Sequence, residues 1–229
     1  MERVSSQVRV MVTSIVLATV ALTPLRVQAV AYLYHFGTVF SGSAPAAPAP
    51  WVDALYQDVT PGTVRLTLSN VGLTGSENVF GTYLNLDPSL NPTSLTFANV
   101  GGSGGFDLPT ISTGVDAYKA DGDGYFDIKL VFNNDGLSDA SRFTAGEYVI
   151  YDISGISGLS AANFAFLSAP DGAPGVFYGA AHIQRVPGDA SGWVGSPVPE
   201  PSAQFLFLLA ASLWFGLRLS RRGASAGRV

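Results

Sequence analysis

The chain has 229 residues, no cysteine, and a formal net charge of −5 from 12 Lys and Arg against 17 Asp and Glu. That length suits one domain plus targeting segments, and the missing cysteine excludes disulfides, thiolate metal sites and a cysteine nucleophile. Between Val30 and Ser196, fifteen acids face only Arg65, Lys119, Lys129, Arg142 and Arg185, a balance of −10 that argues against nucleic acid as a partner. With 26 glycines, 14 prolines and 47% hydrophobic residues, the composition predicts a folded, turn-rich, all-β domain.

The first element reads as a secretory signal peptide over residues 1–29. Arg3 and Arg9 give a basic start, Val10 to Leu25 is a short apolar run, and Val27-Gln28-Ala29 offers small residues for cleavage after Ala29. An uncleaved anchor helix is the alternative reading. Small residues after so short a run favour removal.

Residues 30–196 form the predicted ectodomain. Leu33 to Phe40 is the first strand candidate, and a Ser/Ala/Pro loop from Ser41 to Pro50 follows as a surface excursion. Val64, Leu66 and Leu68 alternate with Arg65, Thr67 and Ser69, the two-residue period of a half-buried strand. Val79 to Leu86 and Leu95 to Val100 are further candidates. Gly101 to Gly105 superficially resembles a nucleotide-binding loop, but Phe106-Asp107-Leu108-Pro109 after it does not begin a helix. Phe126, Ile128, Leu130 and Phe132 alternate with Asp127, Lys129 and Val131, and Val149, Tyr151 and Ile153 do the same across Ile150 and Asp152. Ser160 to Asn163 is the one helical turn, with strands predicted over Phe164 to Leu167 and Phe177 to Ile183. Asn70-Val71-Gly72, Asp87-Pro88, Asn134-Asp135-Gly136 and Pro170-Asp171-Gly172 supply the turns. Short, regularly spaced strands without a helical period predict a β-sandwich, jelly-roll-like in its wiring.

Three constellations carry possible chemistry. Asp121-Gly122-Asp123-Gly124-Tyr125-Phe126-Asp127 sets carboxylates at alternate positions in a glycine-rich turn, a pattern that converges on calcium when Asp116 joins Asp121, Asp123 and Asp127. The same residues also read as a plain acidic turn entering a strand. His182 lies in an apolar run with Asp189 and Ser191 downstream, yet no Gly-x-Ser-x-Gly elbow occurs in the ectodomain, so it reads as a structural histidine. His35 has no carboxylate near it in sequence. Trp51, Trp193 and the tyrosines are candidates for a sugar-stacking platform, although aromatics in a sandwich are more often core.

The final segment, 197–229, has three parts in order. Val198-Pro199-Glu200-Pro201-Ser202 is a proline-stiffened stem, residues 203–219 are almost wholly apolar, and Arg218, Arg221 and Arg222 form a basic stop. Fifteen to seventeen apolar residues rise roughly 23–26 Å as a helix, barely the hydrocarbon thickness. The arginines predict a cytoplasmic tail and an external ectodomain.

Pro199-Glu200-Pro201, the adjoining apolar run and the arginine cluster together resemble the PEP-CTERM sorting signal of exopolysaccharide-producing Gram-negative bacteria. The resemblance covers about thirty residues. It implies recognition by exosortase, a membrane-embedded transpeptidase-like protease, with cleavage near Pro199-Glu200-Pro201. Thr63 to Asp87, Phe143 to Leu167 and Ala180 to Trp193 also resemble segments common in ectodomains of that class. Examples are Gly158-Leu159-Ser160-Ala161, Phe164-Ala165-Phe166-Leu167, Ala180-Ala181-His182 and Ser191-Gly192-Trp193. This likeness implies a shared fold of unassigned function and no catalytic residues. The expectation is a non-enzymatic surface or matrix protein, held in the inner membrane before cleavage and then displayed or released. Exosortase and exopolysaccharide are its expected partners and no cofactor is required. A carbohydrate-binding module is the alternative, and a secreted hydrolase the more remote one.

Overall fold

The computed structural model describes residues 30–121, 123–134, 141–171 and 176–197; the side chain of Asp123 lies outside this set. The expected signal peptide and the sorting segment beyond Pro197 also lie outside it. Among the described residues there are twelve strands, two single 3₁₀ turns and no helix long and apolar enough to cross a membrane.

The strands are β1 (Ala31–Phe36), β2 (Thr38–Gly42), β3 (Val52–Thr60), β4 (Thr63–Ser69), β5 (Asn78–Leu84) and β6 (Thr96–Gly102), then β7 (Thr110–Ala120), β8 (Asp123–Val131), β9 (Phe143–Thr144), β10 (Tyr148–Ser154), β11 (Phe177–Val186) and β12 (Ala190–Pro197). They form a five-stranded sheet, β1-β3-β4-β10-β6, and a seven-stranded sheet, β2-β12-β11-β5-β8-β7, with β9 on β5. Every pairing is antiparallel.

Register explains the core. In the five-stranded sheet Ala54, Leu68 and Val149 stand opposite one another, as do Tyr56, Leu66 and Tyr151. Successive side chains point to opposite faces, so these rows fill one face and Arg65, Thr67 and Asp152 the other. Val79, Ile128, Leu130, Ala181, Ile183 and Val194 come from the facing sheet, and all of these are buried in one apolar cluster. On the outer side Arg65 donates to Asp152 across the ladder at 2.8 and 2.9 Å, and the guanidinium holds that carboxyl below the usual aspartate range. The predicted all-β sandwich is therefore what the chain adopts.

Local departures have local causes. The Leu33–Phe40 candidate is two strands, because the chain leaves one sheet for the other at Gly37, whose N–H donates to the Gly195 carbonyl at 3.2 Å. A strand that turns a corner this way joins the two layers. Phe164 to Leu167 is not a strand. Ser160 donates its N–H to Asn163 Oδ1 at 2.9 Å, the turn Ala161–Phe164 follows, and the Phe164 ring stacks on Tyr56 at 4.6 Å. The turn plugs one end of the core.

Candidate functional site

The mouth of the sandwich beside β1 is a groove of about 710 Å³. It exists because β1 ends the five-stranded sheet while β2, its continuation, belongs to the other sheet. Tyr34 stands opposite Ala54 and Tyr32 opposite Tyr56, so both rings project from the inner face at the sheet's open edge. Tyr178 of β11 meets them from across the gap. Tyr34 and Tyr178 stack with centroids 4.7 Å apart and planes 21° from parallel; Tyr32 and Tyr34 are 6.5 Å apart at 17°. Burial pushes the Tyr34 phenol up, with Tyr178 and Tyr32 adding to the effect. Pro50, Ala165, Ser196 and Pro197 add to the wall, and among the described lining residues His35 is the only side chain besides the tyrosines that ionises.

His35 is not without a carboxylate. Across the β1–β3 ladder it stands opposite Asp53, and its Nδ1 lies 2.7 Å from Asp53 Oδ1. The partner is eighteen residues away in sequence, so only strand pairing reveals it. The two tryptophans part company. Trp51 is 6% exposed and donates its indole N–H to the Ala47 carbonyl at 2.6 Å, which makes it a core and loop-pinning residue. Trp193 is half-buried on the outer face of the seven-stranded sheet, in a cross-strand row with Ser41 and His182. Its ring stacks on His182 at 4.5 Å and 5°, and Phe80 meets the imidazole edge-on at 5.8 Å.

This outer face has a small apolar cluster of its own, formed by Tyr83, Ala120, Phe126 and Ala180 with Phe40, Tyr118 and Trp193 packed against it. Burial lowers the His182 imidazole below its ordinary range, and the Asp121 charge only partly offsets this. Stacked on Trp193 with Phe80 against its edge, the imidazole is held as a packed structural side chain. Ser41 donates its hydroxyl to Asp121, and among the described residues no serine hydroxyl bonds to His182.

The acidic residues sit in different surroundings. Asp127 is nearly buried; its Oδ2 accepts the Leu86 N–H at 3.0 Å and its Oδ1 the Asp116 N–H at 2.9 Å. Asp116 and Asp121 both have positive φ, 47° and 38°, and Asp121 is engaged with Ser41 of β2. Among the described residues no group of three or more His, Asp or Glu side chains gathers as metal ligands, and the Asp123 side chain is outside that set. Pro199, Glu200, Pro201, Arg218, Arg221, Arg222 and Ala29 are likewise outside it. No family model, curated protein or solved structure matches the chain.

Proposed function

We propose that this is an exported envelope protein whose sandwich serves, without catalysis, as a surface or extracellular-matrix interaction module after an exosortase removes its sorting tail. The observation that carries this reading is the three-part tail itself: Pro199-Glu200-Pro201, an apolar run, and Arg218, Arg221 and Arg222, following directly on the last strand, which ends at Pro197. The sandwich supports it too, since a domain that folds on its own core needs no disulfide to survive export. In this reading a signal peptide precedes a jelly-roll-like ectodomain, and the precursor waits in the inner membrane. Intact-mass analysis of the exported form should show a chain beginning near Val30 and ending near Pro199. A mature chain that keeps Arg221 and Arg222 in exosortase-positive cells would overturn the reading.

A second reading, carbohydrate binding, is favoured by one specific observation. The stacked Trp193–His182 pair lies half-buried on the outer face of the seven-stranded sheet, where its exposed part could meet the apolar face of a sugar ring. The polymer is then an exopolysaccharide. Binding that persists in high salt and falls about tenfold, roughly 1.4 kcal/mol, in the Trp193→Ala variant supports it. Unchanged binding in that variant removes this face from consideration.

A further inference from the structure

We propose that two copies of this chain pair through the outer face of the five-stranded sheet. Strand register lays one apolar row across that face. Leu33 stands opposite Leu55, Leu55 opposite Thr67, Thr67 opposite Ile150, and Ile150 opposite Gly101. Leu55, Thr67 and Ile150 point away from the core, because the residues on either side of each in its strand are the buried ones. Leu33 is 48% exposed and Tyr148, one row along, 40%. A solvated sheet face ordinarily reads polar, yet here leucine and isoleucine occupy the middle of it. On one side of this row run Gln57, Arg65, Asp152 and Ala98; on the other run His35, Asp53, Ser69 and Tyr148.

Three features name a second copy as the occupant. The first is charge. An ectodomain of balance −10 repels its own kind. Asp53, Asp58 and Asp152 are the only acids on the five strands of this sheet, and twelve of the ectodomain's fifteen lie elsewhere. Asp58 accepts the Ala161 N–H at 2.7 Å. The other two each have a basic side chain beside them, Arg65 at 2.8 Å from Asp152 and His35 at 2.7 Å from Asp53. Copies that meet here keep most of their charge apart. The second feature is self-complementarity. A two-fold contact sets one patch against itself. With the axis along the Leu33–Gly101 row, each apolar residue meets its counterpart, and the Arg65–Asp152 row lies over the second copy's His35–Asp53 row. Each Arg65 then faces the row that holds the other copy's Asp53. The third is size. Five strands span about 24 Å and the seven residues of β4 rise about 24 Å, so two such faces bury about 1,150 Å², above the roughly 1,000 Å² that a specific interface needs. The margin is small, which makes the pair concentration-dependent.

The chain has no cysteine, so one introduced thiol reports without background. Thr67 lies on β4, the third of the five strands, and across sheets packed about 10 Å apart it faces its own counterpart. Full-length Thr67→Cys protein, kept in detergent and treated with a short bismaleimide, should form covalent dimer at least tenfold faster than Ser112→Cys. Ser112 stands opposite Lys129 on the outer face of the other sheet. Both variants keep the whole tail, so any contact through it raises the two rates alike. Adding Ile150→Glu to Thr67→Cys, or Leu33→Glu at the sheet edge, should bring the rate down to the Ser112→Cys level without changing the melting temperature. Equal rates for the two cysteine variants would overturn the proposal, whether or not the glutamate variants fold. Fast cross-linking that survives both glutamates in folded protein would overturn it as well. A Thr67→Cys thiol that forms no dimer but is shielded from a monofunctional maleimide by added exopolysaccharide would give the face to a glycan instead.

Discussion

Asp127 shows how one side chain can hold an irregular sheet together. The β5–β8 ladder ends at Leu84 opposite Ile128, and β7 breaks register between Thr113 and Tyr118. Both breaks leave a backbone N–H without a ladder partner, Leu86 on one side and Asp116 on the other. The single carboxylate of Asp127 accepts both. Burial pushes its carboxyl above the ordinary aspartate range, and the two N–H bonds pull the other way. Asp127→Ala should orphan the buried Leu86 N–H at about 1–3 kcal/mol in chemical denaturation, while the part-buried Asp116 N–H adds less because water can reach it. Asp127→Asn keeps one acceptor oxygen and should fall between. The pH dependence has a definite sign. Just above the ordinary aspartate range the folded state binds more protons here than the unfolded state, so this group's contribution to stability declines as pH rises through that window. The asparagine variant should lose that slope. A loss below about 0.5 kcal/mol for Asp127→Ala, the scatter of an ordinary surface substitution, would mean the two donors find other partners.

At the scale of the element, legibility followed locality. β4, β8 and β10 were readable because each carries a row of strong apolar residues at every second position, set against mostly polar ones. β3 alternates as well, through Val52, Ala54 and Tyr56, but only over its first half, and Ala54 at the centre of that row marks a strand weakly. β7 runs eleven residues and is mostly open to solvent, with a bulge at Gly114 to Ala117, so no buried face imposes a pattern on it. The division of β1 from β2 is a tertiary event at Gly37, where an added Cβ would sit 3.3 Å from the Ala49 Cβ. Nothing in residues 33–40 announces it. The groove inherits that difficulty. Its tyrosines come from β1 and β11, brought together only because one strand serves two sheets. The Asp53 partner of His35 and the contrast between Trp51 and Trp193 were hidden for the same reason: each depends on which strand lies alongside. The acidic turn marked a real peculiarity at Asp127, but the residues that answer it are backbone amides, which no side-chain motif records.

For the whole molecule the decisive asymmetry is between an ectodomain of balance −10 and a tail bearing Arg218, Arg221 and Arg222. The apolar run between them is short for a bilayer, which makes it a weak anchor on length alone. Carrying an arginine through the bilayer centre costs on the order of 2.5–3.5 kcal/mol on insertion scales, so three of them oppose passage of the tail by about 8–10 kcal/mol if the costs add. In the proposed reading, that would hold the precursor with its sandwich in the periplasm and its terminus in the cytoplasm. Replacing all three arginines with serine should let the tail slip through and release uncut precursor. A C-terminal reporter active only in the cytoplasm should then go dark, while the same reporter on the unaltered chain stays lit. The sandwich, untouched by these changes, should keep its melting temperature, which separates a topological effect from a folding one. If the serine variant stays membrane-bound with its reporter lit, the arginines are not the stop signal, and the apolar run would have to hold the precursor unaided.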